Sequence, residues 1–236
     1  MSAANPDKMR RAVKIAVIDS GVAVPHPHIG SVAGGVSIDE HGESPDYRDR
    51  IGHGTAVMAA IMEKAPPVEG FDYFAVRVFQ SALRTRIDFL LRAIEWSIEQ
   101  RVDLINLSLG TSNPAHADRF APLIARAADA GALLISAAHT LPGSLPGVIA
   151  VDLDPDCPRD QYRSISSQCV KSGKGLEFAT SGYPRPIPGV PQEHNLNGIS
   201  FAVANMTGFV ARVCASLTDR SYESVCAALE ASSKTA

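Results

Sequence analysis

Three short segments of the sequence each contain a residue type that nucleophilic catalysis requires. Asp19 ends the apolar run VKIAVID, His53 lies between two glycines in GHGTAVMAAI, and Ser200 follows an Asn-Gly pair in NGISFAVANM. Separately, the three have ordinary explanations as a strand-end turn residue, a loop residue and a helix N-cap. Together they match acyl transfer, in which a serine hydroxyl attacks, a histidine takes its proton and a carboxylate orients the histidine. The chain order aspartate, histidine, serine is one of the known orders for such a triad.

Another apolar run ends in two polar residues whose role the local sequence does not indicate. In GALLISAAHTLPG, residues 131–143, a short buried strand is followed by His139 and Thr140 and then by a Pro-Gly turn. What these two side chains do depends on which other residues lie at the same edge of the fold.

The elements that would position these residues alternate between strands and helices. Apolar runs rich in Val and Ile predict strands at 13–19, 73–79, 103–110 and 132–138, and helical spacing predicts helices at 86–100 and 121–131. Strands that are apolar on both faces and separated by helices indicate parallel βαβ units. We therefore expect an α/β fold, with a mainly parallel central sheet flanked by helices, in one domain over residues 1–236. Binding groups in such sheets lie at the carboxyl ends of the strands.

The region from 157 to 192 is the least regular part of the chain. It is rich in Pro, Gly and Ser, and its segment YPRPIPGVP, residues 183–191, is incompatible with a helix or a central strand. We expect this region to wrap the surface before the last helices.

Composition excludes several classes of protein. The chain has 236 residues, 45% of them hydrophobic and 20% charged, with a formal net charge of −3. A nucleic-acid-binding protein would show a basic stripe, and a membrane protein would show an apolar run of about 20 residues, so neither partner is expected. The sequence starts with Met and has no apolar stretch before a small-residue cleavage site, which predicts a cytoplasmic protein.

The four cysteines show no metal-binding spacing. We expect reduced thiols, since a cytoplasmic compartment is reducing, and a disulfide between Cys157 and Cys169 is the alternative. Two further features have alternative explanations. The pair His26 and His28 could bind a metal, but a structural turn is favoured. The acidic run at 39–50 could recognise basic substrate residues, but a solvated loop is favoured.

The sequence resembles the subtilisin-like serine proteases of family S8. The resemblance is carried by five motifs in the family's order, from about residue 13 to about residue 215: IDSGV followed by HPHIG, GHGTAVMA, INLSLGT, GVIAVDLD and NGISFAVA. It implies a subtilisin-like three-layer fold. It also implies that Asp19 orients His53, and that His53 takes the hydroxyl proton of Ser200 and later donates it to the leaving amine.

The resemblance further implies how a substrate would bind. Ser108, Leu109 and Gly110 would pair with an extended peptide as an edge strand. Ala137 and Ala138 would form the opposite wall of the pocket for the residue before the scissile bond. His26 falls on the family's His-Pro turn, which agrees with a structural role.

The sequence departs from the family at several positions. We expect the family's calcium-binding loop to be deleted, because IMEKAPPVEGFDYFAVRVF leaves little room and few oxygen ligands, so no metal or other cofactor is expected. We expect residues 1–12 to be a short N-terminal extension and the chain to fold without a prodomain; the alternative is a prodomain outside the given sequence. Ala204 and Asn205 replace the family's Pro-His, a change expected to alter helix packing more than chemistry.

The most consequential departure concerns the oxyanion hole. The family ends the strand at this position with AAGN, and its asparagine side chain donates to the developing oxyanion, whereas this sequence reads AAHT. Thr140 and His139 are therefore the candidate oxyanion donors, beside the backbone N–H of Ser200. Alternatively, the loop rearranges around the substrate to supply a donor, or the protein binds peptides without cutting them.

We expect a serine endopeptidase that forms an acyl-enzyme on Ser200 and takes a peptide or protein substrate in an extended conformation. A dedicated intracellular processing role, such as maturation of a precursor or leader peptide, is the expected setting. The alternatives are a catalytically impaired peptide-binding homologue and an esterase. The cleavage specificity and the oligomeric state are open at this stage.

Overall fold

The centre of the fold is a single nine-stranded sheet. The computed structural model describes residues 11–165 and 176–233. Within this part of the chain the strands are β1 (Val13–Asp19), β2 (Gly34–Asp39), β3 (Gly42–Ser44), β4 (Phe71–Arg77), β5 (Leu104–Leu107), β6 (Leu133–Ala137), β7 (Val148–Leu153), β8 (Tyr162–Ser164) and β9 (Glu177–Thr180). Their order across the sheet is β3-β2-β4-β1-β5-β6-β7-β9-β8.

The sheet is parallel except at its two edges. β3 pairs antiparallel with β2, and β8 pairs antiparallel with β9, while the pairings between these edges are parallel. β1 lies between β4 and β5, so the chain changes its direction of winding here. Crevices at the carboxyl ends of strands beside such a change are the usual ligand-binding places of α/β sheets.

Helices cover both faces of the sheet. They are α1 (His53–Lys64), α2 (Ile87–Glu99), α3 (Ala117–Asp129), α4 (Ile199–Ser216) and α5 (Tyr222–Ser232). α1, α4 and α5 bury their apolar residues in one core cluster, and α2 and α3 bury theirs in a second cluster on the other face. The predicted three-layer α/β fold is therefore confirmed.

α4 is the central helix of its layer. It contacts α1, α5 and the strands β5, β6, β7 and β9, and its residues Phe201, Val203, Met206 and Val210 are buried. Among the described helices it alone has the length and apolarity of a membrane span, and 61% of it is buried inside the fold. Such burial is what the core helix of a globular protein shows.

The predicted elements are present, with shifted ends. The strand predicted at 103–110 ends at Leu107, so residues 108–110 extend beyond the sheet. The helix predicted from 121 begins at Ala117, and Pro122 lies inside it. The irregular region contributes β8 and β9 to the sheet edge, which the sequence did not predict, while 183–191 contains neither helix nor strand, as predicted.

The cysteines that can be described are buried. Cys157 and Cys214 form no disulfide with a described residue, and burial raises the pKa of each thiol, that of Cys214 to about 12. Cys169 lies outside the described residues, so the alternative disulfide with Cys157 stays untested.

Candidate active site

Asp19 and His53 form a buried hydrogen-bonded pair at the carboxyl end of β1. Nδ1 of His53 lies 2.8 Å from Oδ1 of Asp19, an oxygen that also accepts from the backbone N–H of Ser20 at 2.7 Å. Asp19 is fully buried, and the His53 side chain is 17% exposed. Burial disfavours the charged imidazolium, but the hydrogen bond and charge of Asp19, with the charge of Asp49, outweigh burial and raise the pKa of His53. The arrangement orients the ring and stabilises its protonated form.

Asp49 fixes the start of the helix that carries His53. Its Oδ1 accepts from the Ser20 hydroxyl at 2.9 Å and from the backbone N–H groups of Ile51 and Gly52, both at 2.8 Å. Its Oδ2 accepts from the backbone N–H of Thr55 at 2.9 Å and from the Thr55 hydroxyl at 2.6 Å. Burial opposes ionisation of Asp49, but these hydrogen bonds prevail and lower its pKa.

Asp49 was not identified from the sequence. It lies in the acidic run 39–50, which was predicted to be a solvated loop, and that prediction is wrong for this residue because its carboxylate turns inward. An available signal was its position three residues before the first glycine of GHGT. An acidic side chain there can accept the first backbone N–H groups of a helix, which lack intrahelical acceptors.

The glycine after His53 allows α1 to touch β1. A Cβ atom on Gly54 would lie 2.4 Å from the carbonyl oxygen of Gly21, so a side chain at this position would push the helix away from the strand. The backbone N–H of Gly54 also donates to the Ser20 hydroxyl at 2.8 Å. Close approach at this point brings the His53 ring within reach of Asp19.

Ser200 lies in the first turn of α4, beside the residues that follow β5. Its hydroxyl donates to the carbonyl oxygen of Ser108 at 3.0 Å, and the Ser108 hydroxyl donates to the carbonyl oxygen of Ser200 at 3.0 Å. The Ser108 hydroxyl is also 3.0 Å from Oδ1 of Asn106, whose Nδ2 donates to the Thr207 hydroxyl at 2.9 Å. These buried polar groups tie α4 to β5. Asn106 and Thr207 were not identified from the sequence, where they occupy apolar runs.

His53 and Ser200 line the same cleft. It has a volume of about 630 Å³, and its walls include Ser108, Leu109 and Gly110. The Phe201 ring lies 5.6 Å from the His53 ring, centroid to centroid, so the residue after Ser200 packs against the histidine. The structure thus brings together His53, Ser200 and the predicted edge segment, with Asp19 behind the histidine.

The other residues that the sequence predicts for the site lie at the carboxyl end of β6. The Thr140 hydroxyl is 3.4 Å from the carbonyl oxygen of Ala137, and Nε2 of His139 is 3.3 Å from Oδ2 of Asp152 on β7. Thr140 touches the edge segment, since a Cβ atom on Gly110 would lie 2.5 Å from its hydroxyl oxygen. Ala137 and Ala138 are half-buried where β6 ends. These four residues are not among those lining the cleft of His53 and Ser200.

A buried link joins the helix of His53 to the helix of Ser200. Nζ of Lys64 donates to Oδ1 of Asn205 at 2.6 Å, and Nδ2 of Asn205 donates to the carbonyl oxygens of Ser181 and Tyr183. Burial lowers the pKa of Lys64 to about 8. Asn205 therefore acts in helix packing.

One group of side chains in the described residues has the donor atoms for a metal site. The ligand atoms of His139, Asp152 and Glu177 lie within 4.8 Å of one another. The sequence did not predict this group. The expectation that the chain needs no metal or cofactor stays a prediction.

Comparisons with known proteins establish the family of the chain. The model of the subtilase family, peptidase S8, matches residues 10–235. The chain belongs to the subtilase family. It is 32% identical over 187 residues to Minor extracellular protease Epr of Bacillus subtilis (strain 168), which covers 72% of this chain and 27% of Epr. It is 27% identical over 219 residues to Subtilisin NAT of Bacillus subtilis subsp. natto, covering 85% of this chain and 55% of that protein.

A third subtilase relative is an Intracellular serine protease of Paenibacillus polymyxa. It is 33% identical over 109 residues, which cover 42% of this chain and 33% of that protein. The chain thus spans between about a quarter and about half of the length of Epr and Subtilisin NAT.

Proposed function

We propose that this subtilase is a serine endopeptidase that hydrolyses peptide bonds through an acyl-enzyme on Ser200. The observation that carries the proposal is the buried Asp19–His53 pair, which opens onto a cleft that Ser200 also lines. A buried carboxylate that holds an imidazole beside a serine at a helix N-terminus is the arrangement that acyl transfer requires.

The Ser200 hydroxyl attacks the carbonyl carbon of the scissile bond, and His53 takes its proton. The resulting imidazolium is stabilised by Asp19 and then gives the proton to the leaving amine. Water repeats the sequence on the acyl-enzyme, with His53 again as the base. The first step requires the Ser200 hydroxyl to leave the Ser108 carbonyl and turn towards the ring. The backbone N–H of Ser200 lies in the first helical turn, where it is available to the oxyanion.

The proposed substrate is a peptide or protein chain in an extended conformation. Ser108, Leu109 and Gly110 line the cleft beyond the end of β5, where their backbone groups can pair with a substrate strand. An intracellular processing role is proposed as the setting, and the partial similarity to an intracellular serine protease supports it.

A peptide-binding protein without proteolytic activity is the second candidate function. It is favoured by the hydrogen bonds of Ser200 and Thr140, which face backbone carbonyl oxygens, and by the contact of His139 with Asp152. In this arrangement none of the three side chains is directed to a reacting peptide.

Labelling by a fluorophosphonate probe separates the two candidates. An endopeptidase gives a covalent adduct on Ser200 that is lost in Ser200→Ala, together with cleavage of a peptide library. Ser216→Ala is the matched control, because that hydroxyl lies at the other end of α4 and donates to the carbonyl oxygen of Val213. Labelling of wild type no stronger than that of Ser200→Ala contradicts the proposal, and equal peptide binding by both proteins without cleavage supports the second candidate.

A further inference from the structure

An imidazole and two carboxylates come together on three neighbouring strands of the sheet. His139 follows the end of β6, Asp152 lies near the end of β7, and Glu177 begins β9. Their ligand atoms all lie within 4.8 Å of one another. The proposed mechanism gives no role to Asp152 or Glu177, so another purpose has to account for this group.

The sheet places the two carboxylates on one face. β7 and β9 are neighbouring parallel strands, in which Ala150 is paired with Glu177. Asp152 lies two residues after Ala150, and side chains two residues apart on a strand share a face. Glu177 therefore lies on the same face of the sheet as Asp152, on the adjacent strand.

Backbone hydrogen bonds fix the turn 138–143, which carries His139. The N–H of Ala138 donates to the carbonyl oxygen of Val151 on β7 at 2.9 Å. Further along the turn, the N–H of Leu141 donates to the carbonyl oxygen of Thr111, also at 2.9 Å. The backbone of the turn is thus attached to β7 on one side, while the His139 side chain stays 79% exposed and accessible to a ligand from solvent.

The separation of His139 from Asp152 suits two ligands of one metal ion. Oδ1 of Asp152 accepts from the backbone N–H of Leu153 at 2.8 Å, and its Oδ2 lies 3.3 Å from Nε2 of His139. A hydrogen bond between charged groups is usually shorter, at about 2.7–2.9 Å. Two ligands of a tetrahedral zinc ion, each bonded at about 2.0–2.1 Å, lie about 3.3–3.4 Å apart.

The charges of the group also favour a cation. The carboxylates of Asp152 and Glu177 are close enough to repel each other, and in the described part of the chain neither forms an ion pair with a lysine or an arginine. A divalent ion would neutralise both carboxylates at once.

We propose that His139, Asp152 and Glu177 bind one zinc ion, with water in the fourth position. One nitrogen and two carboxylate oxygens are ligands that zinc accepts, whereas calcium takes about six to eight oxygen ligands. The inference goes beyond the proposed peptidase function and departs from the expectation that the chain needs no metal. The ion cross-links the turn 138–143 to β7 and β9, and it thereby restrains the residue that precedes Thr140.

Zinc binding is measured on the full chain carrying Ser200→Ala, so that self-digestion does not interfere, after a chelator has removed bound metals. Titration calorimetry with zinc chloride should show a site that His139→Ala and Glu177→Gln each weaken at least about tenfold, because loss of a group that merely supports a metal ligand already costs about 10- to 100-fold in affinity. Cobalt(II) should give the absorption of a tetrahedral complex without a thiolate charge-transfer band, which excludes binding by cysteine. Zinc should also raise the thermal midpoint, since a ligand of the folded state stabilises it.

His41→Ala is the matched control. His41 is another exposed histidine beside a carboxylate, with its Nε2 3.7 Å from Oε1 of Glu40, but among the described residues no third ligand group adjoins this pair. The substitution should leave the zinc affinity unchanged. Circular dichroism of the metal-free proteins checks that each variant is folded, and Glu177→Gln keeps the shape of the native side chain.

Zinc binding that both site variants retain, or that His41→Ala weakens equally, overturns the inference and leaves His139 and Asp152 as an ion pair only. Displacement of zinc by an equal concentration of calcium overturns it as well. Fluorophosphonate labelling of the unsubstituted chain tests the proposed peptidase function separately, so failure of either proposal leaves the other in place.

Discussion

Around His53, donors converge on two carboxylates, whereas around Ser200 and Thr140 the hydroxyl groups face backbone carbonyl oxygens. Asp19 accepts from the His53 ring and the Ser20 backbone, and Asp49 accepts from the residues that start α1. On the other side, Ser200 donates to the Ser108 carbonyl, and Thr140 lies against that of Ala137. In the proposed mechanism, His53 is therefore held in position as the base before a substrate arrives, while the Ser200 hydroxyl has to change its hydrogen-bond partner.

Turnover should therefore respond differently to substitutions in these two groups of residues. Further hydrogen bonds to a preorganised base should add little to kcat. Each donor that points at the developing oxyanion should raise kcat.

Replacing Asp19 by Asn should have the largest effect. The amide would hold the His53 ring in the wrong tautomer, and such a change typically lowers kcat by about 10⁴. Peptide hydrolysis under saturating substrate measures the loss, and the thermal midpoint checks that the fold is retained. Activity within tenfold of wild type would show that Asp19 does not orient the base.

Thr140→Asn should act in the opposite direction. An asparagine side chain reaches further than threonine and can donate an amide N–H to the oxyanion, and one such donor is worth about 10²–10³ in kcat. We expect kcat to rise by about 10², while Thr140→Ala changes it by less than about tenfold, because the native hydroxyl is directed to Ala137. A large loss of kcat in Thr140→Ala would instead make the threonine the native donor.

Asp49→Ala should destabilise the start of α1. Loss of a helix cap and of hydrogen bonds to a charged group should lower the free energy of unfolding by about 3 kcal/mol. Urea unfolding measures the change. Glu40→Ala, in the exposed part of the same acidic run, should stay within about 0.5 kcal/mol of wild type. Equal effects of the two substitutions would reject the capping role.

The smallest expected effect is a shift of the acid limb in the pH profile of kcat/KM. His53 must be neutral to act as base, and its pKa is raised, so kcat/KM should rise with pH through a value above 6.5, the ordinary pKa of histidine. Asp49→Asn removes a negative charge that favours the imidazolium, so the limb should move to lower pH. Glu40→Gln should leave it in place, and a limb that moves upward in Asp49→Asn contradicts this electrostatic account.

The fold and the position of His53 beside Asp19 could be predicted from the sequence because both depend on local patterns. Alternating apolar strands and helices dictate the parallel sheet, and the His53 motif carries its own glycines for close packing. Asp49 was missed because an acidic run is usually solvated, and nothing local distinguishes the one carboxylate that turns inward. The edge strand β8 and its neighbour β9 were missed because their region is rich in turn-forming residues.

The contacts of His139 and Thr140 could not be predicted, for a different physical reason. The direction of a side chain at a strand tip depends on its neighbours across the sheet, which are distant in the sequence. Asp152 on β7 attracts the His139 ring, and the fold of the 138–143 turn directs the Thr140 hydroxyl to Ala137. The sequence identifies these residues as candidates, and it gives no indication of their partners.

The buried contact of Lys64 with Asn205 has a consequence for how this protein can diversify. Because it joins α1 to α4 inside the core, it links the helix of the proposed base to the helix of the proposed nucleophile, and Asn205 also anchors this link to the carbonyl oxygen of Tyr183. Residues 184–191, beyond this anchor, can therefore change in length and composition while the contact between the two helices stays the same.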